Sequence, residues 1–301
     1  MNESTNNISL PRKTRELQNF LTDSTRWNNF QFRDDDIVIT AWSKSGTTWV
    51  QQIVSQLIFN GDDKVFGQAV SPWIDFQLMP NAIDFAQSQT HRRFLKTHLP
   101  LDALVFSPRS KYLYIGRDAR DVVWSLHHFM MSFTPFARNQ FEELAKITGT
   151  TMPSVCPDIS EFYRNWLEYD MHSENSFWQN VKGWWEARHL PNVLFVHYAN
   201  LKADLPSEFR RIAKFLDITI DEAKFSQMLN HCSLEHMKDR ASEQEFLEVM
   251  FQGGGRTFVN KGVNGRWRDV LTSDEIAKCD DVAANNLPKD CASWLKTGVM
   301  A

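Results

Sequence analysis

Short apolar runs alternate with stretches of helical spacing along most of this chain. Residues 36–42 (DIVITAW) have the length and β-rich content of a buried strand and follow acidic turn residues. Residues 43–48 (SKSGTT) form a small polar loop. Over 49–59, Trp49, Val50, Ile53, Val54, Leu57 and Ile58 share one helical face, as in a helix packed on a sheet. Further strands are predicted at 94–98, stopped by Pro100, at 111–116 (KYLYIG) and at 192–198 (NVLFVHY). A helix from Ala119 turns Val122, Val123, Leu126 and Met130 inward, and others are predicted near 177–187, 206–216 and 221–230. Residues 134–160 and 242–260 read as long loops, of the kind that cover binding sites.

This alternation, without internal repeats or a long Gly/Ser/Pro linker, predicts a single α/β domain with a central, mainly parallel sheet flanked by helices. Residues 1–35 are expected to be an N-terminal extension that packs on, or leads into, a domain spanning 36–301.

Composition narrows the class. With 42% hydrophobic and 23% charged residues over 301 positions, the chain is globular rather than disordered. Lys and Arg number 33 against 37 Asp and Glu, a net charge of −4, so it lacks the basic surplus of a nucleic-acid binder. A local basic pocket for one small anion is compatible with that total. The first 35 residues contain no signal-type apolar segment, and no run of about 18 apolar residues marks a membrane span. Cys156, Cys232, Cys279 and Cys291 lack CxxC spacing, which disfavours disulfides and structural zinc and points to a reducing, cytoplasmic compartment. Aromatic residues are in surplus: 22 Phe, 11 Trp and 5 Tyr.

The clearest chemical signal is the strand–loop–helix around Gly46. Backbone N–H groups at a helix start converge on an anion, Gly46 permits close approach, and Thr47 and Thr48 add hydroxyl donors. The loop departs from the nucleotide-triphosphatase pattern GxxxxGK[ST]: Thr47 follows Gly46, and the lysine lies two residues earlier, at Lys44. Nor does an apolar strand end in a Mg²⁺-holding Asp, since KYLYIG runs into Arg117. An ATP-dependent phosphotransferase and a non-catalytic nucleotide-binding module are the rival readings.

The string Trp42-Ser43-Lys44-Ser45-Gly46-Thr47-Thr48-Trp49 resembles the 5′-phosphosulfate loop of the cytosolic-type sulfotransferases, with Ser43 where proline is common. Matching strings follow in the family's order: Pro72-Trp73-Ile74-Asp75, Lys96-Thr97-His98-Leu99-Pro100, Arg117 with Ser125, Trp184-Trp185-Glu186, Tyr198, His231-Cys232-Ser233, and Lys261-Gly262 with Gly265 and Trp267. The resemblance covers most of the chain. It implies a P-loop-like fold and a metal-independent transfer of a sulfuryl group from 3′-phosphoadenosine-5′-phosphosulfate (PAPS) to a small acceptor, releasing the 3′,5′-bisphosphate PAP.

In this reading His98 is the general base, and Lys44 and Lys96 stabilise the departing phosphate oxygen. Ser45, Gly46, Thr47 and Thr48 cradle the 5′ group. Arg117, Ser125, Lys261 and Gly262 hold the 3′-phosphate; for Arg117 the competing role is a salt bridge to Asp118 or Asp121 at the helix start. Trp49, Tyr198, Cys232 and Leu234 stand near the base, with Cys232 and Leu234 where the family has threonine and phenylalanine, and Cys232 also reads as simple packing. Asn260 replaces the family's arginine, and Arg256 is expected to compensate. Trp73, Phe129 and Phe133, and with them Phe136, are expected to line or cap an apolar acceptor pocket. Both a hydroxyl and an amine acceptor are compatible with the resemblance. The family's dimerisation stretch is poorly matched, which leaves a monomer or a homodimer through another interface.

Overall fold

A computed structural model describes residues 10–170 and 174–300. Four strands, β1 (Ile37–Thr40), β2 (Phe94–Thr97), β3 (Lys111–Gly116) and β4 (Val193–His197), form a parallel sheet in the order β2-β1-β3-β4. Ile37 pairs with Phe94 on one side and Lys111 on the other, and Gly116 pairs with His197. Every predicted strand is present, each lying within its expected span. The chain moves outward from β1 to β2 and then crosses back to β3. Strand order therefore reverses between β1 and β3, and in open α/β sheets ligands bind beyond the carboxyl ends at such a point.

The strands are buried on both faces, which explains their unbroken apolar runs. On one face Ile37, Ile39, Leu113 and Ile115 pack with α1 (Thr47–Ile58). On the other, Val38, Tyr112 and Tyr114 meet α2 (Ala119–Met131) and the flanking helices. Val122, Val123, Leu126 and Met130 of α2 are all buried, as their spacing predicts.

Residues 134–160 are not a long loop. They contain α3 (Pro135–Thr148). Thr134 caps it by accepting from the Ala137 N–H at 3.1 Å, Pro135 opens it, and Gly149 ends it in the left-handed region at φ 68°. Ala137, Phe141 and Ala145 form its buried stripe. These stop and start signals are all present in the sequence; a mostly polar outer face obscures them.

Beyond it, α4 (Phe177–Glu186) buries Trp184 and Trp185, and α5 (Leu205–Phe215) joins α1 on the first face of the sheet. After α6 (Leu234–Ser242), the second expected loop also proves helical. It holds α7 (Glu245–Met250) and α8 (Gly254–Phe258). These short helices depend on tertiary contacts: the Thr134 N–H donates to the Met250 carbonyl at 3.1 Å, and the Gln252 N–H to the Ser132 carbonyl at 2.7 Å. A Cβ at Gly255 would lie 2.0 Å from the Ala241 carbonyl oxygen, so α8 packs on α6 through bare backbone. Finally α9 (Lys289–Thr297) lays Trp294 over the end of β3, where a Cβ at Gly116 would lie 2.2 Å from its ring.

The segment before β1 packs Leu17, Phe20, Trp27 and Phe30 into the core. At the start of β1, Asp36 accepts two hydrogen bonds from Arg93, at 2.7 and 2.5 Å, with both side chains fully buried. Removing one partner strands a buried charge. Asp36→Ala is therefore expected to lower unfolding stability by about 3–5 kcal/mol in chemical denaturation, with Arg93→Ala similarly costly.

Candidate active site

All four strands end on the same side, and each delivers side chains there. The loop after β1 carries Lys44 to Thr48, the end of β2 carries Lys96 and His98, β3 runs into Arg117, and β4 into Tyr198. They border one cavity of about 780 Å³.

The loop after β1 is held in a special conformation. Lys44 lies in the left-handed region at φ 66°, and Gly46, the N-cap of α1, has φ 116°. A Cβ at Gly46 would lie 2.6 Å from the Tyr198 ring, so glycine is required by both conformation and contact. In the first turn of α1 the Trp49 N–H donates to the Gly46 carbonyl at 3.1 Å, while the Thr47 and Thr48 N–H groups that precede it lie before any intrahelical acceptor, at the end of the helix next to the β1 terminus. Thr47 is buried and Thr48 half-buried, and both line the cavity. Ser45 is buried and does not.

His98 is 4% exposed. Its Nδ1 lies 2.7 Å from the Ala41 carbonyl oxygen, so Nδ1 carries the proton and Nε2 is left as the basic nitrogen. Asn175 and Asn180 donate to the His98 carbonyl at 3.2 and 3.3 Å and fix its backbone. Burial first, then the nearby Lys96 and Lys44 charges, holds the imidazole well below its ordinary pKa despite the bond to Ala41. It is a neutral imidazole at physiological pH.

The Lys96 ammonium lies 4.2 Å from the centroid of Trp73, whose ring also meets His98 edge-on at 4.7 Å. Burial depresses Lys96 to about 8, against the opposing charge of Asp75. Lys44 reaches over Phe129, 3.9 Å from its centroid, and burial with the repulsion of Lys96 and Arg117 pushes it down to about 7. Lys44, Lys96, Arg117, Lys202, Lys261 and Arg266 all border the cavity, and the first three have depressed pKa values, which describes a site short of negative charge.

Asp75 escaped the sequence reading, although the string containing it did not. Its buried carboxylate accepts from Trp27 Nε1 at 2.8 Å, and also from Thr97 Oγ1 and Trp73 Nε1. It thus ties the N-terminal segment, the β2 end between Lys96 and His98, and the aromatic wall to one point. Burial raises its carboxyl to about 6 against those three hydrogen bonds.

At the β3 end, Arg117 is 8% exposed and stacks 4.2 Å from the Tyr198 centroid. It donates to the Lys44 carbonyl at 3.2 Å and to Asn264 Oδ1 at 2.9 Å, while its buried Nε has no partner. The salt bridge weighed for it does not form: Asp118 pairs with Arg120 at 2.7 Å, and Asp121 accepts from the Gly265 N–H. Ser125 lines the cavity from α2. Trp49 donates to the Cys232 carbonyl at 2.9 Å and meets Tyr198 edge-on at 5.4 Å, which places Tyr198, Trp49 and Cys232 together on one wall. Cys232 is fully buried. Leu234, Asn260, Lys261 and Gly262 also border the cavity.

Arg256 requires correction. It points away from the cavity, 55% exposed, and is held by Asp239 and, at 3.5 Å, by Glu235. These acidic partners lie on α6, 17 and 21 residues earlier, a pairing that only the packing of α8 on α6 creates. Phe136 also differs from expectation: it is 53% exposed on the outer face of α3 and lies off the cavity. Trp73, Phe129 and Phe133 do line it, joined by Phe20, Phe76, Phe141, Phe251 and Phe258, which no motif singled out. Phe129, Phe133, Phe251 and Phe258 pack on one another at centroid distances of 5.0–6.2 Å. Among the described residues, no group of three or more His, Cys, Asp or Glu is placed to hold a metal ion.

The structure is a parallel α/β domain with a P-loop-like fold and a cationic cavity at its strand ends. Residues 34–290 match the family model described as the sulfotransferase domain. The chain is 31% identical to the glycolipid sulfotransferase of Mycobacterium tuberculosis, over 93% of this chain and 94% of that protein. It is 28% identical to sulfotransferase 1B1 of Mus musculus, over 85% and 84%. In fold it is similar to retinol dehydratase in complex with androsterone and inactive cofactor PAP (TM-score 0.70, 22% identity, 88% and 84% coverage). It is likewise similar to mouse sulfotransferase SULT7A1 complexed with PAP (TM-score 0.68, 20% identity, 90% and 92% coverage). The chain belongs to the sulfotransferase family.

The depressed lysines fix the sign of a pH effect. A bound anion raises the Lys44 and Lys96 pKa values, so binding takes up protons wherever the free site has lost them. Affinity for inorganic sulfate, which stays a dianion throughout, is expected to be nearly flat below about pH 6.5 and to fall as pH rises through 7 and 8. The fall approaches about tenfold per unit for each lysine while the free ammonium, but not the bound one, is deprotonating. Titration calorimetry across that range checks it; constant affinity to pH 9 would contradict it.

Proposed function

We propose that this protein transfers the sulfuryl group of PAPS to the hydroxyl of a small, uncharged, largely apolar acceptor. The observation that carries this reading is the convergence of Lys44, Lys96 and a neutral, tautomer-fixed His98 between an anion-binding loop and a wall of phenylalanines.

The acceptor oxygen attacks sulfur while its proton passes to His98 Nε2. The bond between sulfur and the bridging phosphate oxygen breaks, and that oxygen leaves with the electron pair as part of PAP. Lys44 and Lys96 stabilise the charge growing on it, as positioned donors do in phosphoryl transfer. A sulfuryl group carries less charge than a phosphoryl group, so this chemistry asks less of a metal. Arg117, Ser125 and Lys261 hold the 3′-phosphate, while Trp49, Tyr198, Cys232 and Leu234 frame the adenine.

The lining favours a neutral alcohol or phenol over an amine. Asp121 is the one carboxylate bordering the cavity among the described residues, and it lies beside Arg117 at the nucleotide end. The Phe129, Phe133 and Phe141 end offers a protonated amine no carboxylate, the Phe129 face is already taken by Lys44, and the amine would also be repelled by Lys44 and Lys96. The glycolipid named for the mycobacterial relative is one such hydroxyl-bearing class.

In a [³⁵S]PAPS transfer assay against a panel of phenols, aliphatic alcohols and amines, transfer is expected with neutral alcohols or phenols and to persist in EDTA. His98→Ala is expected to lose roughly 10²–10⁴-fold in kcat, and Lys44→Ala or Lys96→Ala roughly 10²–10³-fold. Full activity in His98→Ala would remove it as the base. Transfer from ATP, or abolition by EDTA, would favour a phosphotransferase.

A further inference from the structure

Arg266 has no role in any motif, yet it borders the cavity. It is half-buried, and no residue in the chain receives a hydrogen bond or ion pair from its guanidinium among the described residues. Its position is fixed by its neighbours. Asn264 accepts from Arg117 at 2.9 Å, and the Gly265 N–H donates to Asp121 at 2.7 Å. Trp267 is buried between the guanidinium groups of Arg120 and Arg268, at 4.5 and 4.7 Å from its centroid. The segment is thus tied down on both sides of Arg266, which brings its charge close enough to Arg117 for the two to repel.

Two guanidinium groups beside one cavity, one of them buried with an unpartnered Nε, are unfavourable unless an anion lies between them. Each offers a planar fork suited to phosphate. Asn260 stands where the resembling family has arginine, and Arg256 is turned away to Asp239 and Glu235. The chain therefore keeps the number of cations at this end while changing where one of them comes from.

We propose that Arg266 is a nucleotide-binding residue that grips the 3′-phosphate together with Arg117 and supplies the selectivity for a 3′-phosphorylated adenosine nucleotide. This rests on PAPS being the donor. It makes Arg266 dispensable for the 5′ group, which the Lys44–Thr48 loop holds, and for the chemical step at His98.

The test is calorimetric binding of PAP and of adenosine 5′-phosphate to the full-length protein and to Arg266→Gln, Arg266→Lys and Arg256→Ala. Wild type is expected to prefer PAP. Arg266→Gln should weaken PAP roughly 10–100-fold, the worth of a charge-assisted contact, and leave adenosine 5′-phosphate unchanged. Arg266→Lys should recover part of that loss, and Arg256→Ala should match wild type. In turnover, Arg266→Gln should raise the KM for PAPS with kcat retained. If wild type prefers PAP and Arg266→Gln keeps that preference, or weakens both nucleotides equally, the inference is overturned while the PAPS reading stands. If wild type shows no preference for PAP, both fall.

Discussion

Parallel pairing of four short strands is the constraint from which the site follows. Antiparallel strands would send successive chain ends to opposite edges; here every strand must finish on the same edge. The Gly46 loop follows β1, Lys96 and His98 sit at the end of β2, and Arg117 and Tyr198 directly follow β3 and β4, so one register aligns them all. The bond from His98 Nδ1 to the Ala41 carbonyl extends this arrangement by one step, since it links the residues just beyond β2 and β1. The imidazole tautomer is thus set by strand register rather than by a dedicated side-chain partner.

The surroundings of this edge convert position into chemistry. Burial removes water from Lys44, Lys96 and His98 and sets the Lys44 charge against those of Lys96 and Arg117, which the chain alone does not relieve. Aromatic rings accept part of the cost: Phe129 faces Lys44, Trp73 faces Lys96, and Tyr198 faces Arg117. The same rings are therefore electrostatic partners on one side and cavity wall on the other. A mildly acidic total charge conceals a concentrated cationic centre.

The roof of the cavity has a different origin. It is built from α3 and the pair α7 and α8, joined through backbone bonds between 132–134 and 250–252. Phe133 and Phe251 pair there, and α8 is followed closely by Asn260–Arg266, so the aromatic wall and this cavity-lining segment are nearly consecutive in the chain. None of this is visible as periodicity, because α7 and α8 are only 6 and 5 residues long and owe their helicity to contacts with the rest of the fold.

What the sequence determined by itself was local and repetitive. The apolar runs at 37–40 and 111–116 marked buried parallel strands, and the Gly46 loop marked a candidate anion site, because strand period, helix face and glycine geometry act over a few residues. The sulfotransferase strings singled out Lys44, Lys96, His98 and Arg117 as candidates in the same way, and the fold brings all four to one cavity. The caps of α3, Thr134, Pro135 and Gly149, were equally legible and were passed over. Tertiary structure alone decided the rest. Asp75 is one acid among 37 until folding places Trp27, Thr97 and Trp73 around it. Arg256 and Arg266 lie ten residues apart with the same charge, and nothing in their spacing says which faces the cavity. That choice depends on where Asp239, Asn264 and Trp267 come to rest, which is a property of long-range packing rather than of local sequence.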